Sequence, residues 1–225
     1  RVYADLALLT CDREVAQHLT RLFNQLSGYA PRSTFHRLLV APLSIRDGLI
    51  ERINAQIARK KAGGEAWIGI KVNSAVDEAV IDALYRASQA GVKVDVQVRG
   101  ICAIRAGVPG LSENIRVRSI LGRYLEHSRI YAFGVPGEEE VWIGSADLMH
   151  RNLDRRVEAL VRISDPDQVE YLANLIRRGV SSKTSSWALK KSGNWKRHQA
   201  NKDGSPLVDL QVELMKAASS RVTGR

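Results

Sequence analysis

Cysteine is nearly missing from this 225-residue chain: there are two, Cys11 and Cys102, far apart and with no CxxC spacing. That argues against a disulfide scaffold or a cysteine-built zinc site and fits a reducing compartment. Aromatic residues make up only 6% of the chain, and no stacking motif or helix-turn-helix pattern accompanies them. A dedicated nucleic-acid reader is therefore disfavoured. No run approaches the ~18 apolar residues of a membrane span, and no signal peptide is evident. A GxxxxGK[ST] stretch is absent, so the chain is not a P-loop kinase. No group of aspartates and glutamates has an evident metal-ligand arrangement. The first residues, Arg1-Val2-Tyr3, lack a methionine, and the chain reads as a portion of something longer.

Positive charge is what the chain has in excess. Lysine and arginine number 34 against 24 acidic residues, a formal net charge of +10 with pI near 9.9. Such a surface suits nucleic acid, an anionic membrane or another polyanion. A 44% hydrophobic content supports an ordinary core. Between Arg99 and Arg129 there are six arginines and no lysine. Charge alone does not explain that choice. Guanidinium is a planar fork that grips phosphate oxygens bidentately and stays charged when partly buried. His127 ends this array, and fixed forks beside one titratable imidazole point to phosphoryl chemistry on a highly anionic substrate.

The apolar spacing predicts alternating strands and helices. A short strand over Val2–Leu9 is followed by a helix capped by Asp12, with Val15, Leu19, Leu22, Phe23 and Leu26 at helical spacing and Gly28 as its stop. Pro31-Arg32-Ser33 marks a candidate boundary, dividing 1–32 from 33–225. Beyond it come a strand at Arg37–Val40 and a helix after Ser44 with Ile45, Leu49, Ile53 and Ile57 on one face. Then follow a strand at Ala66–Val72, a helix at Asp77–Ala90 and a strand at Val92–Val98. Shorter strands are expected at Ile115–Ile120, Arg129–Phe133, Val141–Gly144 and Val157–Ile163, then a helix from Asp165-Pro166 to about Arg178. A small hairpin (Trp187–Leu189, Trp195–Arg197) and a last amphipathic helix, Val208–Ala218, close the chain, with Ser219–Arg225 frayed. The pattern predicts an α/β fold with a mixed sheet flanked by helices.

Strand alternation puts His127 and Arg129 on one side and Ser128 and Ile130 on the other. Arg99 ends a strand, where α/β folds open their ligand crevices. Arg116 and Arg118 share a face and either hold phosphate or pair with Glu113 and Glu126. Lys71 and Asn73 alternate onto one face at a strand end and are candidate pocket residues. Of Arg155 and Arg156, beside Asp154 and Glu158, one is expected to serve only as an internal ion-pair partner. His18 and His36 read as structural, His150 as a loop residue near the site and His198 as a surface residue.

His127-Ser128-Arg129 followed by Gly144-Ser145-Ala146-Asp147 resembles the phospholipase D superfamily pattern, H-x-K then G-S-x-N, with Arg129 for the usual lysine and Asp147 for the usual asparagine. Longer stretches carry a closer likeness. They include Tyr3-Ala4-Asp5-Leu6, Val98-Arg99-Gly100-Ile101-Cys102, Pro109 through Ile120 (PGLSENIRVRSI), Leu125-Glu126-His127-Ser128-Arg129, and Ile143-Gly144-Ser145-Ala146-Asp147 through Arg156. On these motifs the chain resembles the C-terminal portion of bacterial family-1 polyphosphate kinases, most closely over residues 1 to about 178. The resemblance implies a phospholipase-D-like domain at 33–225, with 1–32 the tail of a similar upstream domain. It implies reversible transfer of the ATP γ-phosphate to inorganic polyphosphate through a phosphohistidine that lies upstream of Tyr3, so the isolated portion is expected to be inactive.

By the same resemblance Tyr3, Arg99 and His127 contact ATP, Tyr3 standing close enough to the chain start to fray. His127 and Arg129 are the candidate catalytic residues, and Arg116, Arg118, Ser145 and Arg155 candidates for holding phosphate or polyphosphate. Magnesium is expected with ATP, its ligands outside this portion. The implied partners are ATP/ADP, polyphosphate, upstream domains of the same chain and a second copy in a homo-oligomer, and the implied location is the cytoplasm or a membrane-peripheral site. Two alternatives remain: a phospholipase-D-type phosphodiesterase half-site, and a polyanion- or nucleic-acid-binding module.

Overall fold

In the computed structural model, residues 2–28 and 35–223 are described; Pro31–Ser33, the expected boundary, lies outside them. The elements in order are β1 (Tyr3–Ala4), α1 (Arg13–Leu26), β2 (Leu38–Ala41), α2 (Ile45–Lys61), β3 (Trp67–Val72), α3 (Glu78–Gln89), β4 (Lys93–Val98), β5 (Ile115–Ser119), β6 (Leu125–Glu126), β7 (Arg129–Phe133) and β8 (Glu140–Gly144). After a π-helical turn at Arg151–Arg155 come β9 (Glu158–Ile163), α4 (Pro166–Gly179), β10 (Ser186–Leu189), β11 (Trp195–His198) and α5 (Leu210–Thr223). The helix starts are set by side chains. Asp12, Asp77 and Asp165 each accept from a first-turn amide, and Pro166 at the head of α4 has no amide to leave unpaired.

Nine strands form one mixed sheet in the order β11-β10-β5-β4-β3-β7-β8-β9-β2. Strands β3, β4 and β5 are parallel; β7, β8 and β9 run antiparallel to their neighbours. One face carries Ile68, Ile70, Val94, Val96, Val98, Tyr131 and Trp142 against α2 and α3. The other carries Trp67, Ile130, Ala132, Val141 and Ile143 against α4, whose Leu172, Ala173 and Ile176 are buried. Strands β3 and β7 are thus covered on both faces, which is why they read as continuous apolar runs. Strand β5 alternates, because α4 does not reach it.

Three expectations need correction. The N-terminal strand is only Tyr3–Ala4, and Tyr3 is not frayed: β1 pairs in parallel with β6. On α1, Val15, His18 and Leu22 are buried, the last against Leu38 and Val40. Leu19, Phe23 and Leu26 stay exposed, so the apolar positions do not form one covered stripe. The last helix starts two residues later than expected and continues through Thr223, so Ser219–Thr223 is helical rather than frayed.

Candidate active site

The candidate residues meet where the C-terminal ends of parallel β3 and β4 abut the start of antiparallel β7, a place where strand direction reverses. Asn73 and Arg99 each stand one residue past their strand. Gly100 must be glycine there, because a Cβ would lie 2.8 Å from the Asn73 carbonyl oxygen, which accepts the Gly100 amide. The Arg99 Nε–H is shared between Asn73 Oδ1, at 2.8 Å, and the Glu126 carbonyl. Both acceptors are neutral, and its two terminal nitrogens keep their donors.

Asp147 fills the position expected to be asparagine, and it is the hub of the site. Its Oδ1 accepts the Asn73 backbone N–H at 2.7 Å, and its Oδ2 accepts Asn73 Nδ2 at 3.3 Å. Arg129 meets the same carboxylate as a fork, Nε at 3.3 Å and Nη2 at 3.0 Å. The two side chains are only 9% and 12% exposed. The turn that delivers Asp147 is held by Tyr131, whose buried hydroxyl donates to the Ala146 carbonyl at 2.8 Å. Burial pushes the Tyr131 phenol well above its ordinary pKa, so it remains a donor. Gly144 is also obligatory, since a Cβ would collide with the Ala159 carbonyl across the sheet.

His127 projects beside this pair. Its Nδ1 lies 2.6 Å from Asp5 Oδ2, and Tyr3 meets its ring edge-on at 4.8 Å between centroids. The His127 and Ser128 amides both reach back to the Ala4 carbonyl, at 2.9 and 3.3 Å. Burial raises the Asp5 pKa, but its bond to His127 and the Leu6 amide outweigh that, and the carboxyl sits below its ordinary value. An ionised Asp5 fixes the imidazole proton on Nδ1 and leaves Nε2 for a substrate. Arg129 Nη1 is 3.2 Å from each ring nitrogen, which places it beside the ring rather than in line with either lone pair. A cavity of about 400 Å³ opens here, lined by Asp5, Leu6, His127, Arg129, Gly144 and Ser145. The Ser145 hydroxyl accepts the Ala159 amide at 3.3 Å. A larger groove, about 630 Å³, lies at the far end of the sheet around Gly137, Arg162 and Asp167 and contains none of these residues.

On the opposite side of the His127 strand, Lys71 is buried and ion-paired to Glu126 at 3.0 Å. Its ammonium donates to Ser128 Oγ at 2.6 Å. Burial pushes its pKa down, with the Glu126 charge opposing. Residues 126 and 128 are thereby pinned, so 127 points the other way. Glu126 is held in turn by Gln211 of α5, whose Nε2 donates to Glu126 Oε1 at 2.7 Å and to the Tyr124 carbonyl at 2.9 Å. Gln211 Oε1 accepts the Tyr124 amide, also at 2.9 Å.

Of the expected residues, the structure brings together Tyr3, Arg99, His127, Arg129 and Ser145, with Asn73 joining them. It does not bring Arg116 and Arg118 to this cleft. Both lie on the sheet face opposite Arg129, in register with Asp95 and Gln97. Arg116 pairs with Asp95 rather than with Glu113 or Glu126, and Arg118 donates to Ser186. Arg155 is exposed on the π-helical turn with no partner among the described residues, whereas Arg156 approaches Glu158 at 3.9 Å. His150 belongs to a separate charge cluster with Glu78, Asp77 and Asp154. Asp5, Lys71 as a support, Glu126 and Gln211 escaped the sequence reading, because each acts through a partner distant in the chain. Only the Asp147 departure was a visible signal.

The magnesium expected with ATP finds no ligand set here. The Asp147 and Asp5 oxygens are engaged by Arg129, Asn73 and His127, and no group of three or more histidine, cysteine or acidic side chains suited to a metal occurs among the described residues. No helix among them is long and apolar enough to cross a membrane.

The family model for polyphosphate kinase C-terminal domain 2 matches residues 38–208. A polyphosphate kinase of Streptomyces coelicolor is 61% identical over 221 residues, 98% of this chain and 30% of that protein. The likeness therefore does not fade beyond residue 180. One from Mycobacterium avium is 51% identical over 215 residues, 96% of this chain and 29% of that protein. The crystal structure of polyphosphate kinase from Porphyromonas gingivalis superposes with a TM-score of 0.87 at 33% identity, over 96% of this chain and 33% of that one. The chain spans about 30% of the length of the curated relatives it matches. With this breadth of match behind the site geometry, the chain belongs to the polyphosphate kinase family, of which it is a C-terminal portion.

Proposed function

We propose that this chain forms the nucleotide-facing half of a site that transfers the ATP γ-phosphate reversibly to inorganic polyphosphate, the phosphorylated histidine being supplied from outside residues 1–225. Residues 1–32 then belong to the tail of a preceding domain. The observation that carries the reading is the Asp5–His127 pair facing the cavity beside Arg129 and Arg99. Phosphoryl transfer needs positioning and charge stabilisation more than covalent help. Arg99 offers free guanidinium donors to nucleotide phosphates. His127 Nε2 can give or take the proton at the oxygen bridging ADP and the transferred group, with Asp5 keeping the ring oriented. Tyr3 closes the site from the N-terminal side. Magnesium would neutralise phosphate charge when bound with the nucleotide; no residue here is assigned to it.

The test uses a polyphosphate kinase carrying this sequence as its C-terminal portion. His127→Ala should lower turnover roughly 100-fold or more, the usual scale for a positioned acid–base group, with little change in thermal stability. Arg99→Gln should chiefly raise KM for ATP. Normal turnover in purified, folded His127→Ala would overturn the assignment. Release of a phosphate monoester from a diester, with no ADP formed from ATP, would favour the phosphodiesterase reading instead.

A further inference from the structure

The sheet face left open beyond α4 carries a second basic surface, separate from the His127 cleft. Arg116 and Arg118 on β5, Lys196 and His198 on β11, and Lys190 just after β10 fall on one side of the sheet by strand register. Arg116, Lys190 and Lys196 are exposed, and Arg118 and His198 half-buried. Between Lys183 and Lys202 the chain has six cations and no carboxylate. Asp95, bound to Arg116, is the one carboxylate within ion-pair distance of this set among the described residues. The cations feel one another. Burial, then Arg118, Lys190 and Lys196, lower the His198 pKa, and burial with Arg116 lowers that of Arg118. The buried His198 Nε2 has no hydrogen-bond partner. Charge added only for solubility would spread out or pair, rather than gather where it repels itself.

We infer that this face, β5 with the β10–β11 hairpin, is a docking track for the inorganic polyphosphate chain beyond the reaction centre. The inference rests on the proposed function. That function requires a long linear polyanion whose remaining phosphates must lie somewhere. The track starts close by: at ~4.8 Å per strand, β5 is one strand from the β4 end that carries Arg99, and β11 three. It offers flexible, mainly exposed cations and few aromatic platforms, which suits a featureless phosphate polymer better than a base-bearing one.

The experiment measures binding of end-labelled long-chain polyphosphate, and separately of tripolyphosphate, to the 225-residue chain and to Lys190→Ala/Lys196→Ala, over a range of salt. Both lysines are exposed, so folding should survive, and Arg118→Gln provides a second variant. The double variant is expected to bind long chains about ten-fold more weakly, with a salt slope shallower by roughly one, since counterion release falls by about 0.7 per lost contact on a single strand. Tripolyphosphate affinity should be unchanged, and the His198 titration in the wild type should move up when long chains bind. Equal affinity of wild type and both variants for long chains would overturn the track. Tighter binding of double-stranded DNA than of polyphosphate of equal charge would make the face a nucleic-acid surface and overturn it too. Binding lost in the variants, in a kinase that makes no polyphosphate, would support the track while sinking the kinase reading. Normal binding in a variant of an active kinase would do the reverse.

Discussion

Replacing Asp147 with alanine removes the acceptor on which the site is hung. Four contacts go: the Asn73 amide, the Asn73 side chain and both arms of the Arg129 fork. Because the partners are 9% and 12% exposed, water cannot easily take over. Breaking a buried pair from one side leaves an uncompensated charge and costs about 3–5 kcal/mol. In a chain of this size each kcal/mol moves Tm by about 2–4 °C, so Asp147→Ala should melt about 6–20 °C lower. Asp147→Asn keeps an oxygen for the Asn73 amide and gives up only the charge, so its loss should be nearer 1–3 kcal/mol. The decisive measurement is a double-mutant cycle with Arg129→Met, followed by urea denaturation. If Arg129 is the main group stranded, the double variant should recover part of the loss, with a coupling energy of about 1–3 kcal/mol. A Tm within 2 °C of wild type, on the ~2–4 °C per kcal/mol scale, or strictly additive losses would refute the hub.

Gln211→Leu should lower turnover about ten-fold, the scale for losing a group that orients a catalytic side chain, while Glu213→Gln, which breaks only the exposed Arg178–Glu213 pair, leaves it unchanged. A merely structural Gln211 would lower Tm without moving the turnover-to-KM ratio or the imidazole nitrogen shifts of His127. Asp5→Asn should lose the preference for the Nδ1–H tautomer, visible in those same shifts, and cut turnover at least ten-fold. Since the folded Asp5 carboxyl sits below 3.8, its contribution is complete above that value and is lost as pH falls through the lower folded one. Wild type should therefore shed the His127 contact in acid, and an identical acid titration in Asp5→Asn would contradict this.

The helices and the order of strands were legible because their signals are local. Asp77 and Asp165 announce helix starts by capping, and the valines of β4 alternate as a one-sided strand must. The pairing of β1 with β6 was not legible, since two residues carry no period. Nor was the fate of the arginines. Alternation assigns sides within one strand, but which side of β5 matches which side of β7 depends on sheet order and register. Arg116 and Arg118 therefore share a motif-rich segment with His127 and still face away from Arg129. Lys71, Glu126 and Gln211 form a chain of contacts joining β3, β6 and α5, and no sequence spacing connects them.

The two departures from the superfamily pattern explain each other. Lysine with asparagine would leave one net positive charge at this point; Arg129 with Asp147 leaves none, because the fork is satisfied by the carboxylate. The pair thus acts as a rigid brace, tying the start of β7 to the turn after β8 and to the end of β3 through the Asn73 amide. The charge that must meet phosphate then has to come from elsewhere. Arg99 is the cation at the site whose only acceptors are neutral, the Asn73 side chain and the Glu126 carbonyl. Those contacts aim it without spending its charge, and Glu126 is itself fixed by Lys71 and Gln211. Substrate charge accordingly falls on Arg99, proton transfer on His127, and geometry on Arg129, which is the division of labour a site needs when its substrates repel each other and must be held close before they react.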